Sequence, residues 1–507
     1  MPEPKYIIHT KTNGELNTTT PEHVAEMMAG IREAGKLVIH LHGGLVSESK
    51  ARAKADELLP LYSDAGAYPV FFVYETGLLK IVRNNFREIN NERIFKILLK
   101  KLLKYAAGKL TNAGGAKSTG AFPMPNDIEV GIAVNKIPEG VEPFVKLTTT
   151  NQEELTDAEE KRFTDDLATD IRFQEELQAI VNGAADFENV ESNAKGITVS
   201  HQVSKETLMS PEVVQELIED AGEKGGKGVF STAKFVIAAG KVLARVISRS
   251  IEDRDHGLYT TVVEELLREF YIANVGTAIW GAMKKETHDT FDPTAPEPIR
   301  GGWYFVEKLG ELMAGDDPPE VSVVAHSLGS VFACNLIDYF AQAREQDDHP
   351  LPENFQIKNL IFLAPAVTHE RFQESLQSNS ELFENFRVFN LSDEIESGYW
   401  EVPGVYPRSL LYLVSGLFER NQDGKGAYDK PLVGMQRYES NASVYDGEGV
   451  PETRAFLQAR PDSIFHSVVD MGPGKATDAK RHGGFDDWLS PAPRKTMQSV
   501  AHIVQQS

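Results

Sequence analysis

Ser327 stands between Ala325-His326 and Leu328-Gly329, at the junction of two apolar runs, "VSVVAH" and "SVFACNLIDYF". The first run reads as a strand buried on both faces. The second has the length and spacing of a helix. A sharp strand-to-helix turn needs small flanking residues, because the two backbones nearly collide, and Ala325 and Gly329 supply them. Such a turn lifts the serine hydroxyl to the carboxyl end of a sheet. It also sets the N–H of Leu328 at a helix N-terminus, where developing negative charge is favoured. These are the requirements of a nucleophilic serine. A second match to the spacing, Ala116-Lys117-Ser118-Thr119-Gly120, lies in a polar Gly-rich stretch with no strand before it, so Ser118 carries no such expectation.

A serine hydroxyl attacks only when a base takes its proton, and the usual base is a histidine oriented by a carboxylate. In "FRVFNLSDEIES" the first carboxylate after an apolar run is Asp393, with Glu394 and Glu396 as alternatives. Three histidines compete near the C-terminal end. His466 lies inside the apolar "SIFHSVV", His502 lies on the last helix, and His482 lies in the Gly-rich "RHGGFDDWLSP" just before that helix. A loop there can reach back to the serine, which favours His482. The expected catalytic set is Ser327, Asp393 and His482.

"HLHGGL" ends an early buried run, and its glycines let backbone N–H groups turn toward a substrate carbonyl. Gly44 and Leu328 are the expected donors of an oxyanion hole. His40 and His42 fall on one strand face and raise a metal reading, but no partner cluster accompanies them, so no metal and no cofactor are expected.

These residues need a scaffold. "KYIIHT", "KLVIHL", "YPVFFVY", "VSVVAH", "IKNLIFLAP" and "FRVFNLS" read as strands, and several alternate with helical patterns, which predicts a parallel sheet with crossover helices. Thr20-Pro21-Glu22 opens the first helix and Gly35 closes it. From about Leu79 to Arg300 the alternation stops and helical patterns follow one another: a basic one over Ile94–Leu110, an acidic one over Asn151–Asn182, and others from Pro211 to Glu286. The expected division is a first core part over 1–78, a helical cap insertion over 79–300 and a second core part over 301–507.

Composition bounds the function. The chain has 507 residues, 41% hydrophobic and 25% charged, with a formal net charge of −23. So acidic a chain is a poor partner for nucleic acid. One cysteine, Cys334, forbids an internal disulfide and fits a reducing, cytoplasmic setting. Its place in the helix after the serine suggests packing rather than reactivity. The first residues, "MPEPKYIIHTKTNG", lack the pattern of a secretory signal, and no apolar stretch is long enough to cross a membrane.

At this point a resemblance appears. "HLHGGL", "VVAHSLGS", "NLSDEIES" and "RHGGFDD" resemble the oxyanion strand, nucleophile elbow, acid turn and histidine loop of the α/β-hydrolase superfamily, in its lipase- and esterase-like branch. "DHGLYTTVVEELLREFYIANVGTAIWGAMKKET" and "YPRSLLYLVSGLFE" are similar to segments of uncharacterised bacterial hydrolases. The resemblance covers about residues 30–78 and 300–507. It implies a mostly parallel α/β-hydrolase sheet, a Ser327–Asp393–His482 triad and hydrolysis of carboxylic esters, with an ester or lipid as substrate.

One further stretch bears on partners. In "ERIFKILLKKLLKYAAGKL", Lys96, Lys100, Lys101 and Lys104 gather on one helical face and Ile94, Phe95, Leu98, Leu99, Leu102 and Leu103 on the other. Such a helix either packs as part of the cap or touches an anionic membrane surface through Ile94–Leu110. That second possibility motivates an alternative function, a membrane-acting phospholipase-type effector. A further alternative is a non-catalytic interaction protein on a hydrolase scaffold.

Overall fold

Thr20 caps the first helix, α1 (Pro21–Ala34), by accepting a hydrogen bond from the His23 N–H, with Pro21 at the first helical position. Gly35, at φ 66°, closes it by donating to the Ile31 carbonyl, as its residue type requires. The computed structural model describes residues 4–507 except 45, 75–78, 112–126, 137–143, 145–148, 150, 193–206, 223–231, 272, 293–297, 346–350, 420–428, 441–443, 446, 461 and 490–493. The second serine match, at Ser118, lies outside the described residues.

Seven strands form one parallel sheet: β1 (Ile7–His9), β2 (Lys36–Leu41), β3 (Tyr68–Val73), β4 (Glu320–His326), β5 (Ile357–Leu363), β6 (Phe383–Leu391) and β7 (Ile464–Ser467). Their order across the sheet is β1-β3-β2-β4-β5-β6-β7. The continuous apolar runs are buried along nearly their whole length, as strands covered on both faces must be. A small antiparallel pair, β8 (Val469–Asp470) with β9 (Ala476–Thr477), follows β7. The protein is thus α/β, with a parallel sheet and many helices.

The strand order reverses between β2 and β4. From β2 the chain proceeds to β3 on one side, and from β4 it proceeds through β5, β6 and β7 on the other. In open parallel sheets, a crevice opens outside the carboxyl ends of the strands at such a reversal. "HLHGG" leaves β2 and "HSLG" leaves β4, so both motifs flank that crevice.

Helix α2 (Glu48–Asp64) joins β2 to β3. Between β3 and β4 the described residues form helices: α3 (Leu79–Asn91), α4 (Arg93–Thr111), α5 (Asp127–Asn135), α6 (Asp157–Thr169), α7 (Ile171–Ser192), α8 (Pro211–Gly222), α9 (Ala233–Ile251), α10 (Leu258–Leu266), α11 (Ala273–Asp289) and α12 (Gly301–Met313). The last of these returns to pack on α1 and β1. Helix α13 (Gly329–Glu345) follows β4, and α14 (His369–Phe372) follows β5. Next come α15 (Asp393–Gly398), α16 (Leu410–Leu413), α17 (Gln436–Ser440) and α18 (Val450–Gln458), and α19 (Lys495–Gln506) closes the chain.

The basic helix is α4, and its apolar face is interior. Ile94, Phe95, Leu98, Leu99, Leu102 and Leu103 are all buried, with α4 packed against α7, α9 and α10. Its lysines meet the acidic stretch: Lys101 pairs with Asp166 and Asp170, Lys109 with Glu159, and Lys104 with Asp127 on α5. The two opposite charge runs in the sequence are therefore partners. Part of the acidic stretch thus covers the basic helix. Membrane contact through Ile94–Leu110 does not fit this placement, because the face that would enter lipid is occupied by other helices. Among the described residues no helix is long and apolar enough to cross a membrane.

The helices after β3 are tied to the later chain by a buried ionic network. The Arg249 guanidinium on α9, fully buried, donates to Glu264 at 2.8 Å and to Glu265 at 2.9 Å. Glu264 also accepts from His256 at 2.8 Å and from the Tyr406 hydroxyl at 2.6 Å. Arg254 reaches Asp429 at 3.0 Å, and Tyr438 and Tyr445 donate to that same carboxylate. A Cβ on Gly416 would lie 2.3 Å from a Glu264 carboxylate oxygen, so only glycine fits there. The segments "DHGLYTTVVEELL…" and "YPRSLLYLVSGLFE" meet in this network, where Glu264 of the first touches Tyr406 and Gly416 of the second.

Candidate active site

Ser327 adopts φ 55°, in the left-handed region, and is 4% exposed. Four bonds hold its backbone. Its N–H donates to the Leu363 carbonyl at 2.9 Å, and its carbonyl accepts from Ala366 N–H at 3.1 Å, Ser330 N–H at 3.0 Å and the Ser330 hydroxyl at 2.7 Å. The strain is over-determined by these bonds, as at functional turns generally. Gly329 follows because the helix start lies almost on β2: a Cβ there would sit 2.3 Å from the Leu41 carbonyl oxygen. The small-residue requirement read at this position is thus a requirement of backbone against backbone.

Strain at the serine has a measurable consequence. Ser327→Gly is expected to be more stable than Ser327→Ala by about 1 kcal/mol, since the left-handed conformation costs an L-residue more than it costs glycine. Urea denaturation of the two variants reads the difference, and equal midpoints with equal slopes would show that the turn is unstrained.

The glycine loop leaving β2 lies against this turn. A Cβ on Gly43 would come within 3.2 Å of the Ser327 Cβ, and one on Gly44 within 2.9 Å of the Leu328 side chain. The loop is held by His42, whose Nδ1 donates to the Gly43 carbonyl at 2.7 Å and whose Nε2 accepts from the Tyr74 N–H at 3.3 Å. Tyr74 stacks on the imidazole at 4.1 Å and its hydroxyl donates to the His42 carbonyl. Burial holds His42 neutral, with its pKa lowered to about 4. His40 is likewise engaged, its Nδ1 2.9 Å from the Tyr62 hydroxyl. Among the described residues no cluster of His, Cys, Asp or Glu is arranged to hold a metal.

His482 begins a short turn, His482–Gly484, and is 5% exposed. It arrives beside His326, the residue before the serine, with ring centroids 5.2 Å apart. Among the described residues, neither ring nitrogen of His482 has a hydrogen-bond partner. Burial, and then the neighbouring His326, lower its pKa to about 3. Asp393 begins α15 at the end of β6, where Ser392 caps the helix. Its carboxylate accepts from the Tyr412 hydroxyl at 2.6 Å, and its N–H donates to Gln436 at 2.9 Å. No hydrogen bond joins His482 to Ser327 or to Asp393. The fold therefore sets Gly43 and Gly44 against Ser327 and Leu328 and places His482 beside His326, while the Asp393 carboxylate is bonded to Tyr412.

The alternatives are also placed. Glu396 is fully buried with its carboxyl pushed up by burial and by Asp393, and it accepts from the Ser409 hydroxyl. Glu394 is exposed. His466 lies on β7 and its Nε2 donates to Glu439 at 3.1 Å, and His502 lies on α19. Cys334 is buried and its thiol is pushed up to about 12 by burial, which makes it a core residue. A cavity of about 470 Å³ beside α13, lined by His288, Asn335, Asp338, Tyr339, Arg371 and Glu374 among others, includes none of the site residues.

Sequence reasoning missed two participants, His326 and Asp486. His326 Nδ1 lies 3.2 Å from an Asp486 carboxylate oxygen, and its Nε2 donates to the His482 carbonyl at 3.1 Å. Asp486 is four residues beyond His482, but its partner is 160 residues away, so spacing along the chain carries no signal of the pair. No protein-family model matches the chain, and neither a curated protein nor a solved structure matches it significantly.

Proposed function

We propose that the protein is a serine hydrolase of the α/β-hydrolase type, cleaving carboxylic esters through an acyl-enzyme. The observation that carries the reading is Ser327 at φ 55°, at the carboxyl end of β4, with the glycine loop of β2 against it where the strand order reverses. In this mechanism the Ser327 hydroxyl attacks the ester carbonyl while neutral His482 takes its proton. The N–H groups of Leu328 and Gly44 receive the developing oxyanion, and neither N–H donates to another group among the described residues. His482 then protonates the departing alcohol, and water releases the acid by the reverse sequence.

For Asp393 to orient the base, the His482 ring must leave its place beside His326 and bridge the serine and that carboxylate. The two free ring nitrogens permit this without breaking a hydrogen bond of the ring. Asp393→Asn is expected to lower kcat by about 10⁴, the cost of losing the orienting carboxylate in a triad.

The direct test is a fluorophosphonate probe on the full chain, read by peptide mass mapping. Labelling confined to Ser327, and lost in His482→Ala, is expected. A folded protein that leaves Ser327 unlabelled would remove the proposal.

A further inference from the structure

We propose that His326, immediately before the nucleophile, is a positioning residue that acts as a buried cation: paired with Asp486, it holds the His482 turn against the elbow and keeps the His482 ring neutral. The inference rests on the reading of Ser327 and His482 as nucleophile and base.

The geometry determines the protonation of His326. Its ring is 5% exposed, and both nitrogens face acceptors. A backbone carbonyl can only accept, so the nitrogen facing the His482 carbonyl carries a proton. The other nitrogen faces a carboxylate, and a lone pair there would meet negative charge. Both nitrogens are therefore protonated, and the ring is an imidazolium bonded to Asp486, itself 6% exposed. The energetics agree in direction. Burial disfavours the cation, but Asp486 outweighs it and raises the His326 pKa. Burial likewise opposes ionised Asp486, and His326 outweighs it in turn.

Every packed element contributes to this balance. From α2, Lys54 lies 3.9 Å from Asp486 and 3.0 Å from Asp487, and donates to the Asp486 carbonyl at 3.1 Å. Glu57, also on α2, accepts from the N–H groups of Trp488 and Leu489. Tyr62 bonds His40, and burial holds both His40 and His42 neutral. Arg481, next to His482 in the chain, pairs with Asp487 at 3.0 Å, so the charged groups are His326, Lys54 and Arg481 against Asp486, Asp487 and Glu57. His482 lies next to the cation, and a second positive charge 5.2 Å away in a buried site is disfavoured. A general base must be unprotonated, so in the resting arrangement the contact that places the His482 turn also keeps its ring ready to take a proton once it swings to the serine.

The test is an imidazole NMR titration of the full chain with labelled histidine, assigned with His326→Gln and His482→Asn. In the wild type, the His326 signal is expected to remain cationic above the ordinary histidine midpoint and the His482 signal neutral down to below pH 5. In His326→Gln, the glutamine amide still donates to the His482 carbonyl but carries no charge, and the His482 midpoint is expected to rise by about one pH unit or more, as loss of a like charge nearby requires. A purely structural role would be rescued by glutamine and leave that midpoint in place. His326 titrating at or below the ordinary histidine value, or an unmoved His482 midpoint, overturns the proposal. The wild-type titration decides the cation even if a variant does not fold. On a p-nitrophenyl ester, the acid limb of kcat/KM is expected to shift upward in His326→Gln. Hydrolysis that survives Ser327→Ala sinks the functional reading instead, and leaves the titration result standing.

Discussion

Ser327→Ala is expected to lower hydrolysis of a p-nitrophenyl ester on the order of a million-fold, the effect of removing the nucleophile of a triad. In the proposed mechanism Oγ is the atom that bonds the acyl carbon, so no neighbouring group replaces it. The substitution leaves the turn itself intact. The bonds that hold residue 327 run through its backbone, to Leu363, Ala366 and Ser330. Alanine occupies φ 55° at the same cost as serine, so stability should change by less than about 0.5 kcal/mol, as for a substitution outside the main destabilising classes. In that mechanism what survives is transition-state binding by the Leu328 and Gly44 donors, worth about 10³–10⁴ over water. A chain-length series of esters with wild type and variant measures the ratio and defines the acyl preference. Turnover retained in a folded variant would place the chemistry elsewhere.

Arg249→Ala is expected to destabilise the protein by about 3–5 kcal/mol, because it strands buried carboxylates. Arg249, Glu264 and Glu265 are all fully buried. Glu265 keeps Arg245 and Arg268 as partners, and Glu264 keeps His256 and Tyr406, so the loss falls short of complete isolation. Acid sensitivity follows with a definite sign. Burial pushes the Glu264 carboxyl up, but His256 and Arg249 outweigh it and hold it at about 2, below its ordinary 4.5. A carboxylate with a depressed folded-state pKa contributes stability that is present above 4.5 and lost as pH falls toward 2. Removing Arg249 raises that folded-state value, so the variant should begin acid unfolding at higher pH. Denaturant midpoints between pH 7 and 3 test both statements. An unchanged midpoint at neutral pH would show that the remaining partners suffice.

The sheet was readable because strands buried on both faces must be mostly apolar, and β2, β3, β4 and β5 are. The elbow was readable because a backbone collision admits only small residues, and Gly329 lies almost against Leu41. The caps of α1 were readable because Thr20, Pro21 and Gly35 act within a few residues of one another. Each of these is a local constraint, written into neighbouring residue types. The start of β6 shows the limit even there: the strand begins at Phe383, ahead of the apolar "FRVFNLS", because pairing with β5 recruits polar residues.

The long-range partners followed another logic. The basic face of α4 left open packing in the cap or contact with a membrane surface, and the fold gave it the acids of α5, α6 and Asp170. Asp393 suggested a partner for histidine, and the chain between β6 and β7 brought Tyr412 to it. His326 sat unremarked inside the best motif of the sequence, and its partner was settled only when the last loop folded back with Asp486. Charge and hydrogen-bonding capacity belong to a residue type, and so can be read from the chain. Which group satisfies them depends on how helices stack around the sheet, and that packing is a property of the whole molecule.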